Sequence, residues 1–327
     1  MRGRKIERVH SQKLNIKRPP HPALSPASGG EGVFEMTSGH VANWIKPPMT
    51  PLKDRIGLHT WTLDTTPLPD VLRIARETGY NAVELRHVDF VRCMEAGMSN
   101  DEVLELIRAS GLNVSCVGLE TGMLFAQGDE RKRLFDSMDV MCARAAALNC
   151  EVMMVAPGSN TATTVKDAAN NFATGCEIAA KHGLLCALEF GSRHPVLNRL
   201  AVAREIIKLA NKPNAGLLID TYHAQCVGDG GRGFADVPGE EIIAFQFSDV
   251  PAGPLVTTGT ALDRLPPGKG VVRWHEVLQL LMEKGYARYI NYEAPNPALW
   301  ARPPEEVARE GVTRIRALIR DAVGRLK

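Results

Sequence analysis

Lys181-His182-Gly183-Leu184-Leu185-Cys186-Ala187-Leu188 reads as the end of a helix, a glycine, and then an unbroken apolar run. Glycine suits the left-handed backbone position that closes a helix. A short apolar run directly behind it suits a strand buried on both faces. Glu77-Thr78-Gly79-Tyr80-Asn81-Ala82-Val83-Glu84-Leu85 repeats the arrangement, as does Ala109-Ser110-Gly111-Leu112-Asn113-Val114-Ser115-Cys116-Val117. Leu148-Asn149-Cys150-Glu151-Val152-Met153-Met154-Val155 does so with asparagine at the turn. Collected along the chain, such runs fall at 56–59, 82–86, 113–119, 151–156, 184–190, 215–220, 242–247 and 289–293. Segments of helical period alternate with them, at 70–77, 101–109, 131–148, 172–182, 202–210, 274–284 and 305–326. Ser99-x-x-Glu102 fits a capping box ahead of the second.

Strand and helix alternating in this way favour a parallel sheet wrapped by helices. Eight units in about 270 residues match the usual size of a (β/α)8 barrel. A doubly wound open sheet is the competing α/β arrangement. No GxGxxG follows the first strand, which removes the main reason to prefer it. The expectation is an α/β fold, a single (β/α)8 TIM barrel over 53–327.

Residues 1–52 differ in kind. Pro19-Pro20-His21-Pro22-Ala23-Leu24-Ser25-Pro26-Ala27-Ser28-Gly29-Gly30 is rich in turn formers and has no period. Such a stretch buries too little apolar surface to offset its ordering entropy, so a disordered extension is expected. It lacks the apolar centre of a secretory signal. Met36 and Met49 are alternative starts.

Composition narrows the function classes. The 327 residues are 44% apolar and 23% charged, with a net charge of +2, as in an ordinary soluble protein. That charge makes no electrostatic case for nucleic acid, and no apolar stretch nears the roughly 18 residues that span a bilayer. The seven cysteines are scattered without CxxC pairs. They read as small buried hydrophobes of a reducing compartment, so a cytoplasmic location is expected. Barrels with exposed helices commonly dimerise, so a homodimer is one candidate assembly, and the sequence leaves the oligomeric state open.

In a barrel of this kind the active site lies at the C-terminal ends of the strands. The last four apolar runs each lead to an oxygen-bearing side chain: Glu189, Asp220, Gln246 and Glu293. Any one alone is accounted for by a salt bridge or a loop hydrogen bond. Four at equivalent positions point to a shared task, because three carboxylates meeting at one mouth repel unless a cation lies among them. Oxygen donors favour one hard divalent ion, Mn²⁺ or Mg²⁺ before Co²⁺. Zinc is less favoured, since the set holds neither thiolate nor imidazole. The earlier strands end in His59 and Trp61, in Glu84 and Arg86, and in Glu120, each a candidate to line a substrate pocket or an ordinary polar residue of the mouth. His87 and His194 read as solvated loop histidines.

Ala187-Leu188-Glu189-Phe190, Leu218-Ile219-Asp220-Thr221-Tyr222-His223, Phe245-Gln246-Phe247-Ser248-Asp249-Val250 and Tyr292-Glu293-Ala294-Pro295-Asn296-Pro297 together resemble the xylose-isomerase-like barrel superfamily. Its members include sugar isomerases, epimerases and dehydratases. Asp-Thr-x-His is the most specific piece. The resemblance implies that Glu189, Asp220, Gln246 and Glu293 ligate the metal, with Glu189 and Glu293 also the acid–base pair. Gln246 stands where epimerases carry His and hydroxypyruvate isomerases carry Gln. His223 would touch a substrate hydroxyl or the ligand shell. Arg264, in Asp263-Arg264-Leu265-Pro266-Pro267-Gly268-Lys269-Gly270, looks like the substrate-loop residue, although Lys269 replaces the Glu of many relatives.

The implied activity is isomerisation or epimerisation of a small sugar, keto-sugar or polyol derivative through a metal-stabilised enediolate. A lyase or dehydratase on the same site is the alternative. An apurinic-site endonuclease shares the barrel but needs more histidines, including an Asp-x-His after strand seven, where this chain reads Ser248-Asp249-Val250-Pro251.

Overall fold

The computed structural model of the chain describes residues 50–158 and 164–324. The expected N-terminal extension lies outside these residues up to position 49. Leu52, counted within it, is already buried, in a 3-10 turn at Leu52–Asp54.

Eight strands form the centre: β1 (Ile56–His59), β2 (Ala82–Arg86), β3 (Asn113–Gly118), β4 (Val152–Val155), β5 (Leu185–Leu188), β6 (Ala215–Asp220), β7 (Ile242–Phe247) and β8 (Ile290–Tyr292). Each pairs in parallel with the next, and β8 returns to β1 through Leu58 opposite Tyr292, so the sheet closes into a barrel. Around it run α1 (Leu68–Thr78), α2 (His87–Glu95), α3 (Asn100–Ala109), α4 (Gly128–Ala147) and α5 (Val165–Lys181). They continue as α6 (Leu200–Ala210), α7 (Thr221–Cys226), α8 (Trp274–Glu283), α9 (Pro297–Trp300) and α10 (Pro304–Gly324).

The turn chemistry behaves as the sequence implies. Gly79 closes α1 at φ +93°, and its amide returns to the carbonyls of Ala75 and Arg76. Ser99 and Glu102 form the reciprocal capping box of α3. Three helices have no counterpart among the predicted segments: α2, α7 and α9. The first two follow their strands directly, α9 comes shortly after β8, and all are short, so periodicity carries little signal. Their starts are fixed by side chains instead, as when Asp89 accepts from the Arg86 amide at 2.7 Å and from Thr60 Oγ1 at 2.6 Å.

Two apolar layers result. The larger packs the outer faces of the strands against the helices, with Leu58, Val83, Val117, Leu188, Leu217, Ile219 and Phe245 among its members. The smaller fills the barrel with Cys116, Val152, Met154, Leu185, Ala187, Leu218, Ile243 and Ala244. Side chains alternate faces along a strand, so the residue two beyond an interior one is also interior. Ala187 is followed at that spacing by Glu189, Leu218 by Asp220 and Ala244 by Gln246. The pleat that fills the barrel therefore also aims its polar mouth inward.

Among the described residues, no helix is long and apolar enough to cross a membrane. All seven cysteines are free, and only Cys226 is not fully buried.

Candidate active site and metal centre

Backbone hydrogen bonds hold the two terminal glutamates in the ladder just past their strands. The Glu189 amide donates to the Val155 carbonyl at 3.0 Å, and that of Glu293 to Phe247 at 3.1 Å. From there the polar side chains touch in sequence around the barrel mouth. Glu189 Oε1 lies 3.8 Å from His223 Nε2, which lies 3.9 Å from Asp220 Oδ2. Arg264 Nη1 bridges Asp220 Oδ2 and Glu293 Oε2, at 2.5 and 2.7 Å. Glu293 Oε1 is 3.4 Å from His59 Nε2, which is 3.9 Å from Glu84 Oε1. Gln246 Nε2 closes the series by donating to Glu84 Oε1 at 2.9 Å.

Each residue of the Asp-Thr-Tyr-His stretch has its own task. Asp220 Oδ1 caps α7 by accepting from the Tyr222 amide at 2.8 Å, leaving Oδ2 for Arg264. Thr221 clamps β6 to β7, exchanging hydrogen bonds with the backbone of Ser248. The Tyr222 hydroxyl donates to Asp263 at 2.6 Å, and its ring lies 4.8 Å from the Arg264 guanidinium. His223 faces Ser192 through Nδ1 and Arg264 Nη2 through Nε2.

Burial sets the electrostatics. It pushes Glu189 well above the usual carboxylate range, helped by the charges of Glu293 and Asp220. It pushes Glu293 up to about 7 and Glu84 to about 8, the latter reinforced by Glu293. Burial lowers both histidines, His223 to about 3, so both rings are neutral. In His59 the Trp61 amide donates to Nδ1 at 3.0 Å, which leaves the proton on Nε2, facing Glu293. Burial alone would lower Arg264, but Asp220, Glu293 and Glu189 outweigh it and raise its pKa.

His59, Glu189, His223, Arg264 and Glu293 form the floor of a cavity of about 750 Å3, and Trp61 and Glu120 lie in its wall. Glu84, Asp220 and Gln246 are fully buried and take no part in that lining. The expectation that Glu84 lines the substrate pocket is therefore corrected: its carboxyl is turned into the barrel toward Gln246. Glu120 is at the rim, but both its oxygens accept from Arg133, at 2.6 and 3.0 Å. Lys269 is exposed and lines no part of the cavity.

Two other readings need correction. Both histidines line the cavity; His87 is the first residue of α2, and His194 is buried and stacked on Phe125 at 4.8 Å. The cation that the converging carboxylates call for is in part the protein's own, because Arg264 reaches two of them. Its position on a long loop hid this from strand-end reasoning.

The donors nonetheless fit a divalent metal ion. Three carboxylates against one guanidinium leave two negative charges unbalanced when all are ionised. Glu189 Oε1 and Gln246 Oε1 are buried oxygens without a hydrogen-bond partner, which is costly unless something ligates them. Ligand atoms of Glu189, Asp220 and His223 all lie within 4.8 Å of one another. His223 brings an imidazole to a set from which the sequence reading left it out, and this weakens the case against zinc.

Asp249 is among the residues that sequence reasoning missed, as is Arg193, which lines the cavity and donates to Tyr222 and Asp263. The fully buried Asp249 carboxylate accepts from the amides of Val250, Gly268 and Val272 and from Trp274 Nε1, at 2.8–2.9 Å. Its backbone also pairs with Leu265 in both directions. These bonds hold the loop that carries Arg264.

A model of the xylose isomerase-like TIM barrel family matches residues 72–318. The chain belongs to this family. Among its relatives is an inosose isomerase of Halalkalibacterium halodurans, 25% identical over 256 residues, which are 76% of this chain and 90% of that protein. A 3-dehydroshikimate dehydratase of Pseudomonas aeruginosa is 28% identical over 137 residues, 42% of this chain and 22% of that enzyme. A crystal structure of the IOLI protein with a zinc atom superposes with a TM-score of 0.74 at 19% identity, covering 82% of this chain and 99% of the other.

Proposed function

We propose that this family member is a divalent-metal-dependent isomerase or epimerase of a small sugar, keto-sugar or polyol derivative, acting by proton transfer. The observation that carries the reading is the pair Glu189 and Glu293, two buried carboxyls with raised pKa that face one cavity from β5 and β8. Glu189, Asp220, Gln246 and Glu293 would hold the ion, with His223 beside them. Mn²⁺ or Mg²⁺ suits the oxygen donors, Co²⁺ suits them less well, and His223 readmits zinc.

Isomerising a hydroxy-ketone removes a proton next to a carbonyl and returns one at the same or the neighbouring carbon. When bound, a divalent ion supplies a Lewis acid for the charge that develops on the substrate oxygens. Glu189 and Glu293, facing the cavity from different strands, divide the roles of base and conjugate acid. A carboxyl near neutrality suits that task, which typically contributes about 10²–10⁴-fold. The neutral His59 brings Nε2 within 3.4 Å of Glu293 Oε1, while Arg264 holds the other oxygen of that carboxyl. Arg264 offsets the charge of Asp220 and Glu293, while Trp61 in the cavity wall would supply apolar surface for the carbon side of a sugar.

Metal analysis of the purified protein, followed by deuterium exchange into a panel of keto-sugars with and without Mn²⁺, tests this. Exchange that is unaffected by chelation, or absent with every metal and substrate, would overturn it. The partial match to a dehydratase favours a second reading, in which the same proton abstraction is followed by loss of hydroxide. A product lighter by one water identifies that course.

A further inference from the structure

We infer that Glu84 is a positioning residue that fixes which end of the Gln246 amide faces the metal ion. The inference rests on the reading of Gln246 as a ligand. An amide offers an oxygen at one end and an NH2 group at the other, nearly equal in size. Only the oxygen ligates a cation, and electrostatics within this mouth favours the wrong choice. Asp220 is the register partner of Gln246 across β6 and β7, and Glu293 follows on β8. Carboxylates attract N–H donors, so an unconstrained Gln246 would turn its NH2 toward them.

Glu84 opposes this from across the barrel. Its Oε1 accepts from Gln246 Nε2 at 2.9 Å, with both side chains at 0% exposure. With the NH2 group engaged there, the oxygen is left pointing away from Glu84 within the amide plane. Gln246 Oε1 is buried and has no hydrogen-bond partner, the state expected of an atom reserved for a ligand. Glu84 is itself flanked by His59, its register partner on β1, and its carboxyl is also hydrogen-bonded to the Cys116 thiol. It lines no part of the cavity, and its hydrogen bond toward the proposed ligands is the one to Gln246.

The test measures Mn²⁺ affinity by electron paramagnetic resonance and by competition with a chelator, which needs no substrate. Glu84→Leu removes the acceptor of the Gln246 NH2 group whether or not the carboxyl carries a proton, and Mn²⁺ affinity is expected to fall roughly 10–100-fold, as for other residues that orient a ligand. The exchanged pair Glu84→Gln with Gln246→Glu rebuilds the same hydrogen bond in reverse: the amide now on β2 donates its NH2 to a carboxylate on β7 whose second oxygen ligates. It is expected to recover most of the lost affinity, which a general packing defect at position 84 would not allow. Circular dichroism confirms folding of each variant, and the exchanged pair carries the test should the single variant unfold.

Wild-type affinity in Glu84→Leu, beside weakened binding in Gln246→Ala, overturns the inference alone. Failure of the exchanged pair to recover affinity also overturns it. Unchanged binding in Gln246→Ala removes Gln246 from the ligand set, and the inference falls with that reading.

Discussion

Arg264 donates from Nη1 to Glu293 Oε2 at 2.7 Å, so the loop after β7 delivers a positive charge to the carboxyl at the end of β8. The same nitrogen reaches Asp220, and the guanidinium is 2% exposed. Partners buried this deeply interact strongly, and removing one leaves the other uncompensated.

Arg264→Met should therefore destabilise the chelated protein by about 3–5 kcal/mol, the usual consequence of breaking a buried ion pair. Added Mn²⁺ should restore much of this, because a divalent ion compensates the same oxygens, and it should bind more tightly than to wild type. Urea unfolding with and without Mn²⁺ measures both effects. Equal stability of variant and wild type in chelator would sink the idea.

Glu189→Gln and Glu293→Gln each remove a proton carrier and keep the side-chain size. Either should lower proton exchange at the substrate carbon by about 10²–10⁴-fold. Deuterium wash-in followed by NMR reads the step directly. Unchanged exchange in both would exclude the pair as acid and base.

The pH dependence of stability carries the mark of Glu84. Burial and the charge of Glu293 raise its carboxyl from 4.5 to about 8. Between those values the folded state keeps a proton that the unfolded chain has released, so stability falls as pH rises through this window. Glu189 and Glu293 act in the same direction. Chelated wild type should lose stability from pH 4.5 toward 8, and Glu84→Gln should lose less. Parallel profiles for the two proteins would contradict this.

Asp249→Asn places an NH2 group among four N–H donors. Each donor left unsatisfied costs about 1–3 kcal/mol, so the melting temperature should drop and the Trp274 fluorescence should shift. Because Asp249 acts on Arg264 through the loop, combining Asp249→Asn with Arg264→Met should cost less activity than the two single effects together. Full additivity would show that the loop contact and the site are independent.

Much of the site was legible because a strand has a fixed period. Once Ala187, Leu218 and Ala244 are placed inside the barrel, Glu189, Asp220 and Gln246 must follow on the same face. Arg264 could be named from its motif, but its partners could not, since they depend on where Asp249 and Tyr222 anchor a long loop. His194 was misjudged because its burial comes from Phe125, a residue distant in sequence.

The eight strands, their order and the four oxygen-bearing side chains at their ends are written in the amino-acid sequence, because they follow from local periodicity and turn chemistry. Closure of the barrel was needed to show that Arg264 bridges Asp220 and Glu293, that His223 stands beside Glu189, and that Glu84 turns inward to Gln246. Such pairings are chosen by rotamers and loop closure across the barrel, where desolvated charges settle against whichever partners the closed sheet brings within reach.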